Sequence, residues 1–526
     1  MKIDSLKTWP GYRKIPNKVN ITEEVLNNHK IENLGNKTAF IFEGGKLSYQ
    51  LLKKKVNAFS VGLQTLGIKP KEKILIRLQN CPEFIIAFLA IIKIGAIPVL
   101  QNSSLGPKEA EYVCIHSDVV AAITESNVLS SLKPFKRQFL KGLIIVGSHQ
   151  NENIKFDNLL NPHFGKEGST FETKANDPAF IVYTSGTTGR PKGIVHAHRW
   201  IIAQGDINKL RVPPHKTDII LATGEWSFIS ALGHNALFPL RNNLTGAILK
   251  GRMNPERVLQ AIDKYNVTLL YSVATVYRRI LAVQGIENTF NLGSLRACNA
   301  TGEALEAETY KLWNKRFNCP IWEHYGVSEM QLVFGQSPHW KIKPGSVGKP
   351  LPGTSIEILN DNSKPVKSGE TGQLVIGSDN PGFFLRYHKD SKTTQKVVHD
   401  GWYHTGDLAY ADQDGYIWIV GRKDDCFKSR GIFISPIEIE NELRKFESIT
   451  EACVVGKFDK EIGKKICAFV VLREKDNKTK KFEDQLKNSL RKQIAHFKVP
   501  HTIKFLDELP KSPVGKILRK KLVQFN

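Results

Sequence analysis

Tyr183-Thr184-Ser185-Gly186-Thr187-Thr188-Gly189-Arg190-Pro191-Lys192-Gly193 is the stretch on which the reading of the chain turns. The apolar run Ala179 to Val182 leads into it as a strand, and Val195 onward is expected to form a helix. Glycines let backbone N–H groups approach oxygens closely, the hydroxyls donate further hydrogen bonds, and Lys192 adds charge. That combination suits a polyphosphate. It is not a Walker A loop, in which Gly-Lys is followed by Ser or Thr, because Lys192 lies between Pro191 and Gly193. A Gly/Thr stretch alone is equally that of a surface loop, so the flanking chain decides.

Upstream, residues 22 to 150 alternate strand and helix signals. Thr38 to Phe42, Lys73 to Leu78, Ile97 to Leu100, Ala121 to Ile123 and Leu143 to Val146 read as strands. A helix entered at Leu47-Ser48-Tyr49 and the apolar helix Phe84 to Ile94 lie between them. Residues 150 to 178 are polar and read as a loop. Downstream, Ile219 to Ala222, Ala247 to Leu249, Thr268 to Tyr271 and Leu295 to Asn299 read as strands, with a helix over Pro255 to Tyr265. Such alternation predicts parallel sheets covered by helices. From Gly345 to Asp412 short strands at close spacing predict a small β-rich subdomain. Gly421-Arg422-Lys423-Asp424-Asp425 marks a boundary, which divides the chain into 1–423 and a small α+β domain, 424–526. Ser435-Pro436-Ile437-Glu438 there reads as a helix start with a capping box.

At 526 residues the chain is too long for one core. The longest apolar run, Phe84 to Ile92, is too short to span a bilayer, and Met1-Lys2-Ile3-Asp4 lacks a signal-peptide core. Seven dispersed cysteines without C-x-x-C spacing predict reduced thiols and a cytoplasmic protein. No two glycines stand in G-x-G spacing, which excludes a dinucleotide fingerprint. The net charge of +24 raises nucleic acid as a partner, but its lysines are spread along the chain without a recognition motif. A solvated basic surface that attracts anionic substrates is the better reading.

Four further constellations carry chemistry: Gly302-Glu303-Ala304-Leu305, then Glu323-His324-Tyr325-Gly326-Val327-Ser328-Glu329, then Tyr403-His404-Thr405-Gly406-Asp407 with Gly421-Arg422, and last Pro510-Lys511-Ser512-Pro513-Val514-Gly515-Lys516. In order and spacing, with the first stretch, they resemble the signatures of the AMP-forming acyl-CoA synthetases and related adenylate-forming enzymes. The likeness runs from Leu47 to Lys516 and is greatest to the benzoate and medium-chain types. It implies a large α/β domain with a mobile small one, and a two-step reaction. A carboxylic acid and MgATP give an acyl-adenylate and pyrophosphate; the small domain then rotates, and coenzyme A displaces AMP.

Residue by residue, the resemblance implies phosphate contacts from Thr184, Ser185, Gly186, Thr187, Thr188 and Lys192. It implies an adenine site from Gly302, Glu303, Ala304, His324, Tyr325 and Gly326, with Tyr325 stacking on the base. Ser328 would bond the α-phosphate and Glu329 would hold Mg²⁺. Asp407 and Arg422 would hold the ribose. Lys516, Glu329 and Lys192 are the expected catalytic residues, Lys516 because a cation offsets repulsion between carboxylate and α-phosphate. Asp424 matches the hinge and Gly431 the thiol tunnel.

The acid pocket is expected around Phe228, Ile229, His234, Gly326 and Leu332. Gly326 stands where acetate-specific relatives carry a Trp, which predicts an aromatic or medium-chain acid, and a Trp there is expected to shift preference toward short acids. Benzoate ligases carry a His where Leu332 stands, which argues against benzoate itself. The alternative is loading of a carrier protein's phosphopantetheine arm; no carrier domain follows Leu522, so that partner would act in trans. No membrane span is expected, and the sequence leaves monomer and homodimer equally open.

Overall fold

The apolar runs between residues 38 and 350 form two mostly parallel sheets that share one core. The computed structural model describes residues 15–132, 139–147, 154–184, 191–251, 254–430, 432–473, 478–511 and 517–525. Ser185, Gly186, Thr187, Thr188, Gly431 and Lys516 lie outside the described residues.

The first sheet has eight strands. Ile97–Leu100, Lys73–Arg77, Val119–Glu125, Leu143–Val146 and Ile154–Lys155 are parallel. β1 (Pro178–Thr184) lies parallel beside Ile97–Leu100, β2 (Lys192–Ala197) returns antiparallel to it, and Arg386–Tyr387 pairs with β2. The helix expected from Val195 is therefore absent: the chain stays extended to Ala197, and the helix begins at Trp200. Ile194 and Val195 are β-branched, and as buried partners of Val182 and Ile181 they gain more from the sheet than a helix would give.

The second sheet has nine strands. Thr38–Phe42, Thr245–Ala247, Ile219–Ala222, β3 (Leu269–Ser272), β4 (Ala297–Ala300) and β5 (Ile321–Tyr325) run parallel in that order. Between Phe84 and Ile92 every residue of the helix Pro82–Lys93 is buried in the core that both sheets share. Each such Leu, Ile or Phe contributes roughly 1.5–3 kcal/mol by leaving water. Trp226 fills the same core between Phe40 and Phe84, with ring centroids 5.7 and 5.6 Å away.

The expected loop at 150 to 178 contains a short strand, Ile154–Lys155, and a helix, Phe156–Leu160. Three apolar residues in five give too little periodicity to read, yet Phe156 stacks on Phe59 at 4.1 Å. A five-stranded sheet follows, with Trp402–Ala411 flanked by Gly372–Gly377 and Ile417–Arg422. The small C-terminal unit pairs Ile449–Asp459, Gly463–Leu472 and Thr502–Leu506 under the helices Pro436–Leu443 and Lys480–Gln493. Ser435 does precede a helix with Pro436 in its first turn, but its hydroxyl donates to Val420 O (2.7 Å) and makes no cap. The overall class is α/β with a smaller α+β domain.

Candidate active site

Parallel strands that end at one edge leave a crevice outside their carboxyl ends, where ligands bind in open α/β sheets. β3, β4 and β5 end together, at Ser272, Ala300 and Tyr325. The β1–β2 hairpin closes its mouth at the pair Thr184 and Lys192, and the intervening 185–190 lie outside the described residues. Lys192 Nζ stands 5.2 Å over the Tyr387 ring, and the Tyr387 hydroxyl donates to Glu329 Oε1 (2.5 Å). Burial raises the Glu329 carboxyl above its ordinary value, against the pull of Tyr387, Tyr403 and Lys192. From β2, buried His196 donates Nε2–H to Ser328 O (3.0 Å) and so ties this strand to the Ser328-Glu329 turn. Burial lowers the His196 pKa to about 3, so the ring that makes this bond is neutral.

Tyr325 closes β5, and its hydroxyl donates to Asp407 Oδ2 (2.5 Å). Arg422 Nη1 donates to Asp407 Oδ1 (3.2 Å) and Thr405 O (2.8 Å). Asp407 and Arg422 are direct partners across neighbouring strands, which explains their separation in sequence. Gly302 follows β4 at φ +82°, a left-handed turn that favours glycine. Glu303 Oε2 accepts from the Thr275 N–H (3.1 Å) and hydroxyl (2.7 Å), at the start of the helix Ala274–Leu281. Ala304 is exposed. Asp424 is exposed just past the strand Ile417–Arg422, where Lys423 N–H donates to Gly406 O (2.8 Å).

His324 is expected at the adenine site, but alternation along β5 points its side chain to the face opposite that of Tyr325. Its ring meets His234 edge-on at 5.0 Å. His234 lies in a π-helical segment, Leu232–Leu237, and stacks on Tyr271 of β3 at 4.3 Å. Such segments concentrate at functional sites. Ile229 and Leu332 are buried, Phe228 is half-buried, and Leu332 N–H donates to Gln204 Oε1 (3.0 Å). A Cβ on Gly326 would lie 1.4 Å from Gln331 O, and Gln331 itself has φ +88°. Gly326 therefore permits a tight backbone turn, and no side chain fits there in this arrangement. A Trp at this position cannot simply shorten the pocket.

Sequence reading passed over Tyr387, His196, Gln204 and Arg211. Tyr387 stands 58 residues from Glu329 in no recognisable motif, His196 sits inside an apolar stretch, and Arg211 among lysines near a Pro-Pro turn reads as an ordinary surface charge. Among the described residues, three or more His, Cys, Asp or Glu nowhere gather as a metal site. No helix of the described residues is long and apolar enough to cross a membrane.

The β1–β2 hairpin, the strand end that carries Tyr325, and the bonds from Tyr325 and Arg422 to Asp407 belong to an α/β enzyme with a small C-terminal domain. Residues 28–388 match the family model of the AMP-binding enzyme, and 438–516 that of the AMP-binding enzyme C-terminal domain. An uncharacterized acyl-CoA ligase of Bacillus subtilis, YtcI, is 31% identical over 96% of this chain and 96% of its own length. The benzoate-CoA ligase of Thauera aromatica is 29% identical over 98% and 97%. The crystal structure of the anthranilate CoA ligase AuaEII in complex with anthranoyl-AMP superposes with a TM-score of 0.92 at 27% identity, covering 97% of this chain and 98% of that one. The chain belongs to the AMP-binding enzyme family and is an acid–thiol ligase of the AMP-forming kind, with ATP and coenzyme A as its co-substrates.

Proposed function

We propose that the protein activates an aromatic or medium-chain carboxylic acid as its acyl-adenylate and transfers the acyl group to coenzyme A. The observation that carries this reading is a pair of contact groups built from strands of three sheets and joined through Tyr325 and Glu329, four residues apart: Tyr325–Asp407–Arg422 and Lys192–Tyr387–Glu329. The first has the aromatic face, carboxylate and guanidinium that hold a nucleoside. The second offers charge of both signs where phosphates lie. The apolar lining from Phe228, Ile229 and Leu332 and relatives named for benzoate and 3-hydroxybenzoate support a sizeable acid.

In the first step a carboxylate oxygen bonds to the α-phosphorus, and the bond to the bridging oxygen breaks as pyrophosphate leaves. Like charges oppose the approach, and Lys192 and Lys516 offset that repulsion. Glu329 fits Mg²⁺, because a buried carboxylate whose charge is penalised gains from a cation, and the metal would neutralise phosphate charge. The loop Thr184–Thr188 with Ser328 would hold the phosphates, and Gly302, Glu303 and Ala304 would border the adenine. In the second step the sulfur of coenzyme A bonds to the acyl carbon, its proton is released, and AMP leaves. We assign adenylation to residues 1–423 together with Lys516, and the turn of 424–526 about Asp424 to the second step, with Gly431 on the thiol path. The protein is cytoplasmic on this reading, and coenzyme A rather than a carrier protein is the acceptor.

Lys516→Ala tests the division of labour. Acid-dependent pyrophosphate release should fall by at least about 100-fold, while thioester formation from supplied acyl-adenylate should fall by less than about tenfold. Equal loss in both half-reactions would refute it.

A further inference from the structure

Behind the apolar lining, five buried polar atoms lack any partner within the protein among the described residues: both ring nitrogens of His234, both of His324, and Gln331 Oε1. Their side chains belong to residues only 1, 2 and 4% exposed, respectively. Buried polar groups are almost always hydrogen-bonded, and unpaired ones gather where a ligand completes them. These atoms are close neighbours. The two imidazoles are 5.0 Å apart, and the Gln331 amide lies against Gly233, where a Cβ would meet Nε2 at 2.3 Å. Tyr271, Asn299 and His324 share one face of β3, β4 and β5, so the group occupies the carboxyl-end side of the crevice.

We infer that the inner end of the acid pocket recognises a hydroxyl or amino group on the acid, remote from its carboxylate, through His234, His324 and Gln331. The inference rests on the ligase reading above and names the substrate class more narrowly. Burial keeps both imidazoles neutral, so each offers one N–H donor and one acceptor nitrogen. Gln331 Oε1 adds an acceptor. A group that both donates and accepts matches that set. A second carboxylate only accepts, and both terminal nitrogens of the nearby cation are engaged: Arg211 donates Nη2 to Asn299 Oδ1 (2.7 Å) and Nη1 to Gln336 O (3.3 Å), which leaves only its buried Nε without a partner among the described residues. An acid without the polar group would leave the rings unpaired, which is how sites of this kind reject the plain analogue.

The test is acid-dependent pyrophosphate release from the full chain with MgATP, using matched probes: benzoate against 3- and 4-hydroxybenzoate and 3-aminobenzoate, and butyrate against 4-hydroxybutyrate. At least one substituted acid should exceed its parent by roughly tenfold or more in kcat/KM. In His324→Phe and in Gln331→Met that ratio should collapse toward one, mainly through a higher KM for the substituted acid. The ratio is internal to each variant, so partial loss of folded enzyme cancels. If His324→Phe does not fold, Gln331→Met decides alone. Parent acids equal to or better than every substituted one, or a ratio unchanged in the folded variants, would overturn the inference. Preference for isophthalate or glutarate would do the same and point to Arg211. If no acid elicits pyrophosphate, the ligase reading itself fails, and this inference with it.

Discussion

At the inner end of the proposed acid pocket Arg211 is buried with no carboxylate beside it among the described residues, and the rings of two buried histidines have no hydrogen-bond partner there. At the seam between the large and small domains, buried charge is matched throughout. Arg278 donates to both oxygens of Glu306 (2.7 and 2.8 Å), and Arg444 reaches the same carboxylate at 3.1 Å and Glu440 at 3.5 Å. Arg519 then clasps Glu440 and lies 3.5 Å from Asp425, next to the proposed hinge residue Asp424. Thus one chain of alternating charges runs from the large domain to Asp425. Paired ions specify one placement of the small domain, whereas unpaired groups in the pocket await a partner from outside. Buried polarity serves position in one region and recognition in the other.

The largest effect expected is at the pocket. Gly326→Trp sets a side chain against the Gln331 carbonyl, and overpacking against backbone should cost more than about 3 kcal/mol and activity with every acid. A stable Trp variant with a new preference for acetate would show that the turn at 326–331 yields, and would break the contrast from that side.

At the seam, Glu306→Gln leaves Arg278 and Arg444 without their shared counter-charge. Loss of one member of a buried pair should lower stability in urea by about 3 kcal/mol. No measurable change would mean that the seam carries no more energy than a surface pair.

Acid should loosen the same seam. Burial alone would raise the Glu306 and Glu440 carboxyls, but Arg278 and Arg444 for one, and Arg519 and Arg444 for the other, hold both below the ordinary value. Their stabilisation is therefore complete above the unfolded glutamate pKa of roughly 4.3 and is lost as pH falls through the folded values. Limited proteolysis near 423–425 should accelerate below about pH 4.3 and stay flat from 6 to 8. A rise already at pH 6 would assign the effect to other groups.

The smallest effect sharpens the reading of the small domain. Ser435→Ala removes one bond to Val420 O and no helix cap, so about 1 kcal/mol or less is expected, without loss of helicity. Fraying of the helix Pro436–Leu443 would restore the capping interpretation.

Both sheets and the order of the nucleotide-side residues are legible in the sequence, because β-branched runs, helical stripes and Gly-rich turns are local signals. Tyr325, Asp407 and Arg422 could be placed together only through resemblance, since 82 residues separate Tyr325 from its bonded partner Asp407. The stretch from Val195 is illegible in the sequence because a short apolar run does not tell a return strand from a helix start. The role of Gly326 depends on the backbone of Gln331 five residues on, which no side-chain pattern records. The seam stayed hidden for a similar reason: Glu306 and Arg444 are 138 residues apart, and each reads as an ordinary surface charge.

The central claim is tested most directly by following both products of one incubation. Without coenzyme A, enzyme, MgATP and a carboxylic acid should release pyrophosphate while the AMP stays bound in an equal amount of acyl-adenylate; with coenzyme A, pyrophosphate, AMP and acyl-CoA thioester should appear in equal amounts. Acid-independent ATP breakdown, or adenylate that coenzyme A leaves untouched, would contradict the account.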